Sequence, residues 1–201
     1  MESEALRIGL TMRVVEACGY QEPRDALAQD WPKFLSKVFP KAAWLYLPNL
    51  GTTAIQQYCK IWHVNRLILT GGEDIGVCQI RDETEMDLLS WAKDNRMPVL
   101  GICRGMQMMA KFAGIGLIPL DAHTRVRHRL TGPIIHHEVN SFHCFGLASC
   151  PNNFEVSARS PDGEIEGILN KYLRWEGWMW HPERESPFAS ADINRLRGLF
   201  A

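Results

Sequence analysis

The segment 97–114 constrains the fold of this chain more than any other part of the sequence. An apolar run over 97–102 predicts a buried strand, and the amphipathic stretch that ends at Gly114 predicts a helix. Cys103 falls at the junction, in the pattern Gly-x-Cys-x-Gly-x-Gln. Glycine permits a sharp turn and a close backbone approach. The pattern therefore predicts a cysteine nucleophile elbow, which projects Cys103 at the end of a sheet, near a helix N-terminus that favours thiolate.

A second motif near the C-terminus supports a catalytic role for Cys103 over the alternative of a small buried core residue. An apolar run ends at His181 and is followed by Pro182 and Glu183. Proline lacks an N–H group and is predicted to end the strand there. In extended backbone, a spacing of two residues points His181 and Glu183 the same way. We expect Glu183 to orient the imidazole while His181 takes the thiol proton.

Composition restricts the classes of function. The chain has 201 residues, 46% hydrophobic and 22% charged, which suits a single globular domain over 1–201. A net charge of −1 argues against nucleic-acid and polybasic membrane partners. No apolar stretch has the length of a membrane span, and residues 1–4 are acidic where a secretory signal would be basic, so we expect a cytoplasmic protein.

The cysteines and histidines predict neither disulfides nor a metal site. The six cysteines are scattered and form no C-x-x-C pair, which favours a reduced compartment. The neighbouring residues His136, His137 and Glu138 lack the spacing of zinc ligands. We therefore expect no metal and no cofactor.

Apolar patterning alternates between strand and helix along the first half of the chain. Strands are predicted over 7–12, 43–47, 66–70 and 97–102, and helices over 25–39, 53–62 and 83–95. This alternation predicts a doubly wound, mostly parallel α/β sheet flanked by helices, with short extra β segments in the second half. The Gly71-Gly72 turn and Cys103 both follow predicted strands, so they should meet at the sheet edge where such folds bind ligands.

Together, the elbow and the His-Pro-Glu run resemble the class I glutamine amidotransferase superfamily, and within it the γ-glutamyl hydrolase branch. Four further motifs occur in the order typical of that branch: Gly-Gly-x-Asp at 71–74, Arg-Asp-x-x-Glu at 81–85, Asn-Ser-x-His at 140–143 and a Ser-Pro-Asp-Gly hairpin at 160–167. The resemblance extends over about 8–200. It implies a flavodoxin-like sheet and a triad of Cys103, His181 and Glu183.

The resemblance also implies roles for other residues. Amide hydrolysis would proceed through a γ-glutamyl thioester, with the backbone N–H groups of Arg104 and Gly72 as oxyanion donors. The positions that match substrate contacts in the family are Gly71, Glu73, Gln107, Asn140, Ser141, Phe142 and His143. The backbone of 141–143 matches the segment that holds the substrate α-carboxylate, whereas the His143 ring is expected to pack or to form hydrogen bonds. Glu73 and Asp74 either pair with the α-ammonium or cap the next helix.

Two departures from the family pattern bear on the substrate. Only six residues separate Asp74 from Arg81, so the covering loop is short and the acceptor side should be open. Met179 stands where the family usually has glutamine. The segment 20–35 is similar to a subgroup encoded with surface-polysaccharide genes, the γ-glutamyl-CDP-amidate hydrolases. The short basic run that contains Arg125, Arg127 and Arg129 is either a solvated loop or a set of phosphate contacts.

Three functions follow from these observations. The first is a stand-alone γ-glutamyl amide hydrolase that acts on a small molecule, with a γ-glutamyl nucleotide amidate as the preferred substrate. The second is a glutaminase subunit that supplies ammonia to a partner synthetase. The third is a non-enzymatic binding or redox-sensing protein in which Cys103 is oxidised. A sensor needs neither His181 nor Glu183, which favours an enzyme, and a homodimer is left open.

Overall fold

A computed structural model describes residues 5–133 and 137–201, so His136 lies outside the described residues. The strands are β1 (Arg7–Thr11), β2 (Arg13–Glu16), β3 (Pro23–Ala26), β4 (Ala43–Leu47), β5 (Arg66–Leu69), β6 (Val99–Ile102), β7 (Leu117–Pro119), β8 (Thr124–Arg129), β9 (Glu138–Phe142), β10 (Phe145–Leu147), β11 (Glu155–Arg159), β12 (Ile165–Asn170) and β13 (Trp175–Trp178). The helices are α1 (Asp30–Val38), α2 (Ala54–Ile61), α3 (Gln79–Asp94), α4 (Arg104–Phe112) and α5 (Ser190–Phe200), with a 3₁₀ turn at Pro182–Arg184.

A seven-stranded sheet forms the centre of the fold, in the order β11-β12-β13-β6-β5-β1-β4. The pairs from β13 through β6, β5 and β1 to β4 are parallel, whereas β11 and β12 add an antiparallel edge. Three two-stranded sheets, β2-β3, β7-β10 and β8-β9, surround it. This arrangement confirms the predicted doubly wound, mostly parallel sheet with extra β segments.

Alternating residues of the central strands supply the two cores. Ile8, Leu10 and Ile68 pack on one face with α1 and α5, whereas Leu67 and Leu69 pack on the other with α2, α3 and α4. Side chains of successive strand residues point to opposite faces, so a strand covered on both sides must be apolar at nearly every position. This requirement explains the short apolar runs in the sequence.

The structure corrects two expectations, a helix boundary and a loop, for the same physical reason. The predicted helix over 25–39 begins only at Asp30, because 23–26 pairs with β2 in an antiparallel hairpin. The basic run at 125–129, considered as a loop, is strand β8 and pairs with β9. Pairing with a neighbouring strand decided both cases, and the residue pattern within either segment alone does not contain it. Among the described residues, no helix has the length and apolar character needed to cross a membrane.

Candidate active site

Cys103 sits at a tight strand-to-helix junction. It follows β6, precedes α4 and adopts φ 50° and ψ −105°, a left-handed φ that non-glycine residues seldom adopt. A Cβ at Gly101 would lie 2.6 Å from the carbonyl carbon of Gly105, and a Cβ at Gly105 would collide with the carbonyl oxygen of Leu69. Both glycines therefore allow the start of α4 to lie directly against the sheet. The elbow predicted from the glycine pattern is confirmed as backbone geometry.

His181 reaches the same edge from the neighbouring strand. Trp178 on β13 is in register with Ile102 on β6, and the two parallel strands end side by side. The predicted strand up to His181 is wrong, because β13 ends at Trp178 and the chain turns into the 3₁₀ segment after His181. The turn, rather than extended backbone, brings Glu183 Oε1 to 2.7 Å from His181 Nδ1.

Electrostatics favour a protonated His181. The ring is 2% exposed, and burial alone would lower its pKa. The carboxylate of Glu183, followed by the hydrogen bond and the electrostatic attraction of the Cys103 sulfur, outweighs burial and raises the pKa of His181 to about 9. The structure thus brings together the three predicted triad residues, buried and in contact.

Asn140 holds the backbone of His181. Its Oδ1 accepts the N–H of His181 at 2.9 Å, and its Nδ2 donates to the His181 carbonyl at 2.8 Å. The same Nδ2 donates to Glu185 Oε1 at 2.7 Å. Asn140 was predicted to bind substrate, but its side-chain amide is engaged in fixing the position of the imidazole.

The Gly71-Gly72 turn lies against the triad. A Cβ at Gly71 would lie 2.6 Å from Cε1 of His181. A Cβ at Gly72 would collide with Nη1 of Arg81 and lie 3.0 Å from Cβ of Arg13. Only a residue without a side chain fits at either position, which leaves the backbone of this turn facing the site.

A buried ionic network holds this turn in place. The Arg81 side chain is fully buried, and its Nη2 donates to the carbonyls of Thr70 at 2.9 Å and Gly71 at 3.2 Å. Its Nε lies 3.1 Å from Oε1 of Glu85, which also accepts the Thr11 hydroxyl at 2.8 Å. The turn is therefore tied to α3 by a charged side chain rather than by its own backbone.

The same network reaches the elbow. The guanidinium of Arg104, the residue after Cys103, is 1% exposed and pairs with Glu85 and Asp82. The Arg-Asp-x-x-Glu motif at 81–85 thus supplies one arginine to the glycine turn and two carboxylates to the elbow. The predicted role of the Arg104 backbone N–H as an oxyanion donor stays a prediction.

Other predicted substrate contacts have partners within the protein. Glu73 Oε2 lies 2.7 Å from Arg81 Nη1, so its carboxylate is already paired. Gln107 is buried one turn after Cys103 and donates from Nε2 to the Phe145 carbonyl at 2.9 Å. The Ser141 hydroxyl donates to a backbone carbonyl at 2.6 Å. A substrate role for these side chains stays a prediction.

Phe142 and His143 point in different directions. The Phe142 ring is 38% exposed and packs edge-on against His181, with centroids 5.8 Å apart. The His143 ring is buried and turns away to Glu166, in agreement with the expectation that it packs or forms hydrogen bonds. Phe142 therefore forms part of the wall beside the imidazole.

Two arginines beside the triad were not predicted. Arg184 lies over the Phe142 ring, 4.7 Å from its centroid, and Arg13 lies next to Gly72. Burial, followed by repulsion from Arg184 and Arg81, lowers the pKa of Arg13. Within 5–133 and 137–201, the Arg13 guanidinium forms no hydrogen bond or ion pair. The signal in the sequence was its position after β1, at the edge where parallel strands bind ligands.

The arginines of β8 are arranged differently. Arg127 pairs with Glu138 at 2.8 Å and with Glu185 at 3.1 Å. Arg125 and Arg129 share its exposed side of the strand. Arg127 is connected to the triad through Glu185, which also accepts a hydrogen bond from Asn140. The charge of Arg127 is already balanced by two carboxylates.

An open cleft adjoins the glycine turn. Its volume is about 430 Å³, and its walls are the β2–β3 hairpin on one side and the 73–80 segment on the other. Glu73 and Val14 line the end nearest the turn. The short connection between Asp74 and Arg81 leaves Val77 73% exposed at its rim, in line with the expected open acceptor side.

Comparison with known proteins identifies the family. Residues 52–193 match the family model for glutamine amidotransferase class I. The chain belongs to the class I glutamine amidotransferase family. It is 30% identical over 192 residues to the γ-glutamyl-CDP-amidate hydrolase of Campylobacter jejuni, covering 92% of this chain and 94% of that protein. It is also 30% identical over 156 residues to the glutamine-hydrolysing GMP synthase subunit of Methanococcus aeolicus, covering 73% and 78%.

Solved structures agree on the fold. A glutamine amidotransferase from Thermotoga maritima superposes with a TM-score of 0.64 at 15% identity, covering 96% of this chain and 83% of that one. A candidate GMP synthase subunit from Thermoplasma acidophilum superposes with a TM-score of 0.72 at 18% identity, covering 98% and 94%. These likenesses support the doubly wound architecture described above.

The ionic network predicts a large cost for removing its central charge. Glu85→Gln removes the fully buried carboxylate that Arg81 and Arg104 share, and leaves each guanidinium with one partly exposed partner, Glu73 or Asp82. The change should lower the free energy of unfolding by about 3–5 kcal/mol. Urea denaturation measures this change. Glu83→Gln, an exposed change on the same helix, is the matched control and should stay within about 0.5 kcal/mol. Equal unfolding midpoints for the two variants would contradict the proposed importance of the network.

The pKa of His181 predicts a pH dependence of stability. The folded pKa is raised from 6.5 to about 9, so the protonated ring stabilises the fold below pH 6.5, and this contribution is lost as pH rises to about 9. In an NMR titration of the histidine ring signals, His181 should titrate near 9. Glu183→Gln should lower that midpoint and flatten the loss of stability, whereas Glu138→Gln on the exposed side of β9 should change neither. A midpoint unaffected by Glu183→Gln would refute this pairing.

Proposed function

We propose that this protein is a cysteine-dependent γ-glutamyl amide hydrolase that cleaves a γ-glutamyl nucleotide amidate into glutamate and a nucleotide phosphoramidate. The observation that carries the proposal is the placement of Arg13, which forms no direct ion pair within the described residues, beside the glycine turn that lies against His181. A substrate that brings anionic phosphates to the acceptor side would give this guanidinium a direct partner, in addition to the attraction of the nearby carboxylates Glu73 and Glu183. The 30% identity to the Campylobacter jejuni enzyme over nearly the whole of both chains supports the same substrate class.

The proposed reaction uses the triad in two halves. In the first, the Cys103 sulfur attacks the γ-carbonyl carbon, and His181 donates its proton to the departing nitrogen as the C–N bond breaks. The phosphoramidate leaves, and a γ-glutamyl thioester remains on Cys103. In the second, His181 takes a proton from water, whose oxygen attacks the thioester carbon. The C–S bond breaks, glutamate leaves and the thiol is restored.

The scaffold suits an oxyanion formed between the elbow and the glycine turn. The backbone N–H of Arg104 begins α4, where the helix dipole favours negative charge. On this proposal the N–H of Gly72 supplies the second donor, because a side chain is excluded there and the turn lies beside His181. Glu183 contacts the imidazole at Nδ1 and also lies 3.6 Å from Arg184 Nε. On this proposal it acts by holding the ring's orientation.

The phosphate contacts are assigned to Arg13 and Arg184. Both lie beside the triad, and the one direct ion pair between them and a described carboxylate is the long contact of 3.6 Å from Arg184 Nε to Glu183 Oε1. Arg127, in contrast, already pairs with two carboxylates. The open cleft next to Gly72 offers room for a bulky leaving group. On this proposal the backbone at 141–143 receives the α-carboxylate, and the enzyme acts in the cytoplasm on a precursor of surface polysaccharide.

A glutaminase subunit that supplies ammonia is the second candidate function. Relatives of this chain include glutamine-hydrolysing subunits such as that of the Methanococcus aeolicus GMP synthase. Such a subunit would use the same three residues, so the triad does not distinguish the two functions. The leaving group does, because ammonia carries no phosphate for Arg13 to bind.

Removal of the nucleophile tests the triad. Cys103→Ala should reduce glutamate release from a γ-glutamyl nucleotide amidate by at least about a thousandfold, because the residual rate comes only from binding and oxyanion contacts. Single-turnover assays with mass spectrometry should show a γ-glutamyl adduct on wild-type Cys103. Cys59→Ala, a buried cysteine remote from the site, is the control and should keep its activity after correction for folded protein. Substantial turnover by Cys103→Ala would refute the assignment.

Charge removal at the acceptor side tests the substrate class. Arg13→Gln should raise KM for the nucleotide amidate about tenfold, the loss expected for one charge-assisted contact, and leave glutamine turnover nearly unchanged. Arg184→Gln should raise the same KM, and its readout is the ratio of the two activities, because Arg184 also contacts Glu183. Arg96→Gln, exposed at the opposite edge of the sheet, should change neither. Equivalent changes at Arg125 and Arg129 test the sequence-based assignment.

The substrate comparison separates the two functions. Wild-type protein that hydrolyses glutamine with a higher kcat/KM than the nucleotide amidate would overturn the proposed substrate and favour the ammonia-supplying subunit. An increase in KM confined to the Arg125 and Arg129 variants would place the phosphates on β8 instead.

A further inference from the structure

A second group of ionisable side chains lies outside the triad, which we call the histidine cluster: His123, His128, His143 and Glu166. His123 lies before β8, His128 within β8, His143 between β9 and β10, and Glu166 within β12. His123, His143 and Glu166 are at most 3% exposed. Three separate segments of the chain thus bring polar atoms to one buried point.

The atoms that face one another in this cluster lack hydrogen bonds. His123 Nδ1 and His143 Nε2 each lie 3.2 Å from Glu166 Oε1, and His128 Nε2 lies 3.6 Å from Oε2. Over the described part of the chain, none of these five atoms forms an aligned hydrogen bond. Unsatisfied polar atoms in a buried site are costly, so the close approach calls for a bound positive charge between them.

The outer nitrogens explain why the inner ones are unsatisfied. His123 Nε2 lies 2.8 Å from Oδ2 of Asp162, and His143 Nδ1 lies 3.1 Å from the carbonyl of Phe145. Both partners are acceptors, so each ring directs an N–H outward. In a neutral ring the inner nitrogen is then a lone pair, and it faces a carboxylate that also only accepts. Metal-binding histidines have this arrangement, with an acceptor fixing the tautomer from behind.

We propose that the histidine cluster binds one divalent transition-metal ion of the zinc class. The ligands are His123 Nδ1, His143 Nε2 and the Glu166 carboxylate, with His128 Nε2 as the fourth. Tetrahedral zinc with bonds of 2.0–2.1 Å separates its ligand atoms by about 3.3 Å. The two nitrogen–oxygen separations of 3.2 Å match that edge. The ligand atoms of His123, His143 and Glu166 lie within 4.8 Å of one another, so the widest pair must move closer when the ion binds.

The ion has a structural role at this site. Imidazole and carboxylate ligands suit zinc, and four protein ligands without solvent access leave no open coordination position. The ion joins β12 to the segment that carries Phe142, whose ring packs against His181. The Ser141 hydroxyl donates to the His123 carbonyl and fastens the same segment. Metal binding therefore stabilises the wall beside the triad without taking part in the reaction.

The competing occupant is a proton on the rings. The contact with Glu166, together with Asp162, outweighs burial and raises the pKa of His123 to about 9 in the metal-free protein. A protonated cluster would satisfy the same carboxylate without a metal. Direct metal analysis distinguishes the two occupants.

The first experiment measures metal in the wild-type protein, purified without a polyhistidine tag. Elemental analysis should find about one equivalent of a divalent transition metal per chain, and removal by a chelator should lower Tm until Zn²⁺ is restored. Co²⁺ added to the metal-free protein should give the visible absorption of a tetrahedral site. These readouts do not depend on hydrolase activity, so they stand or fall apart from the proposed function.

Variants locate the ion in the cluster. Asp162→Asn changes a largely exposed carboxylate behind His123 and should weaken Zn²⁺ binding about 10–100-fold in calorimetry, whereas Glu166→Gln should abolish it. His63→Asn, an exposed histidine at a left-handed φ that asparagine tolerates, is the matched control and should bind Zn²⁺ as the wild type does.

The proposal is overturned if the wild type contains less than about 0.1 equivalent of metal and its Tm does not respond to Zn²⁺. Zn²⁺ affinity that is unchanged in Asp162→Asn would likewise show that the ion binds elsewhere. Because the wild-type measurement and Asp162→Asn suffice for a decision, failure of Glu166→Gln to fold leaves the test intact.

Discussion

Glu85 lies between the guanidinium groups of Arg81 and Arg104, and these three side chains are almost completely buried. Charges withdrawn from water are tolerated only when they are paired and hydrogen-bonded, so the positions of the two arginines depend on this carboxylate. Arg81 holds the carbonyls of the glycine turn, and Arg104 is the first residue of the helix that begins after Cys103. The distance between the turn and the elbow is thus set by one ionic group beneath the site. The relative positions of the two proposed oxyanion donors therefore depend on Glu85 and its two arginine partners.

His181 is held on a different principle. The amide of Asn140 forms hydrogen bonds with both the N–H and the carbonyl of His181. Glu183 forms a hydrogen bond with its ring, and Gly71 and Phe142 pack against the ring. None of these contacts comes from the strand that precedes it. The imidazole is therefore positioned by the β9 segment as much as by the parallel sheet. The histidine cluster contacts the same segment. A change in the cluster should therefore affect the position of the imidazole.

Local pattern was sufficient for the parallel sheet and the elbow, because glycine spacing and apolar runs act over a few neighbouring residues. It also selected three residues that the structure brings into contact, and their catalytic role stays a prediction. It failed where contacts with another segment decide the outcome. Residues 23–26 form a strand because they pair with β2. The charge of Arg127 is neutralised by ion pairs with Glu138 and Glu185. Arg13 and Arg184 meet beside the triad from opposite ends of the chain, and no spacing rule links them. Asn140 and Glu73 were assigned to the substrate, but their side chains have partners within the protein.

The φ of 50° at Cys103 restricts which side chains the elbow can carry, and therefore which nucleophiles are available if this residue acts as proposed. A left-handed φ is costly for β-branched residues, because the second substituent on Cβ crowds the adjacent backbone. Serine has no such substituent and fits the elbow, whereas threonine would strain it. The backbone alone therefore confines this position to unbranched nucleophiles. A hydroxyl side chain at position 103 is therefore compatible with this backbone as serine but not as threonine.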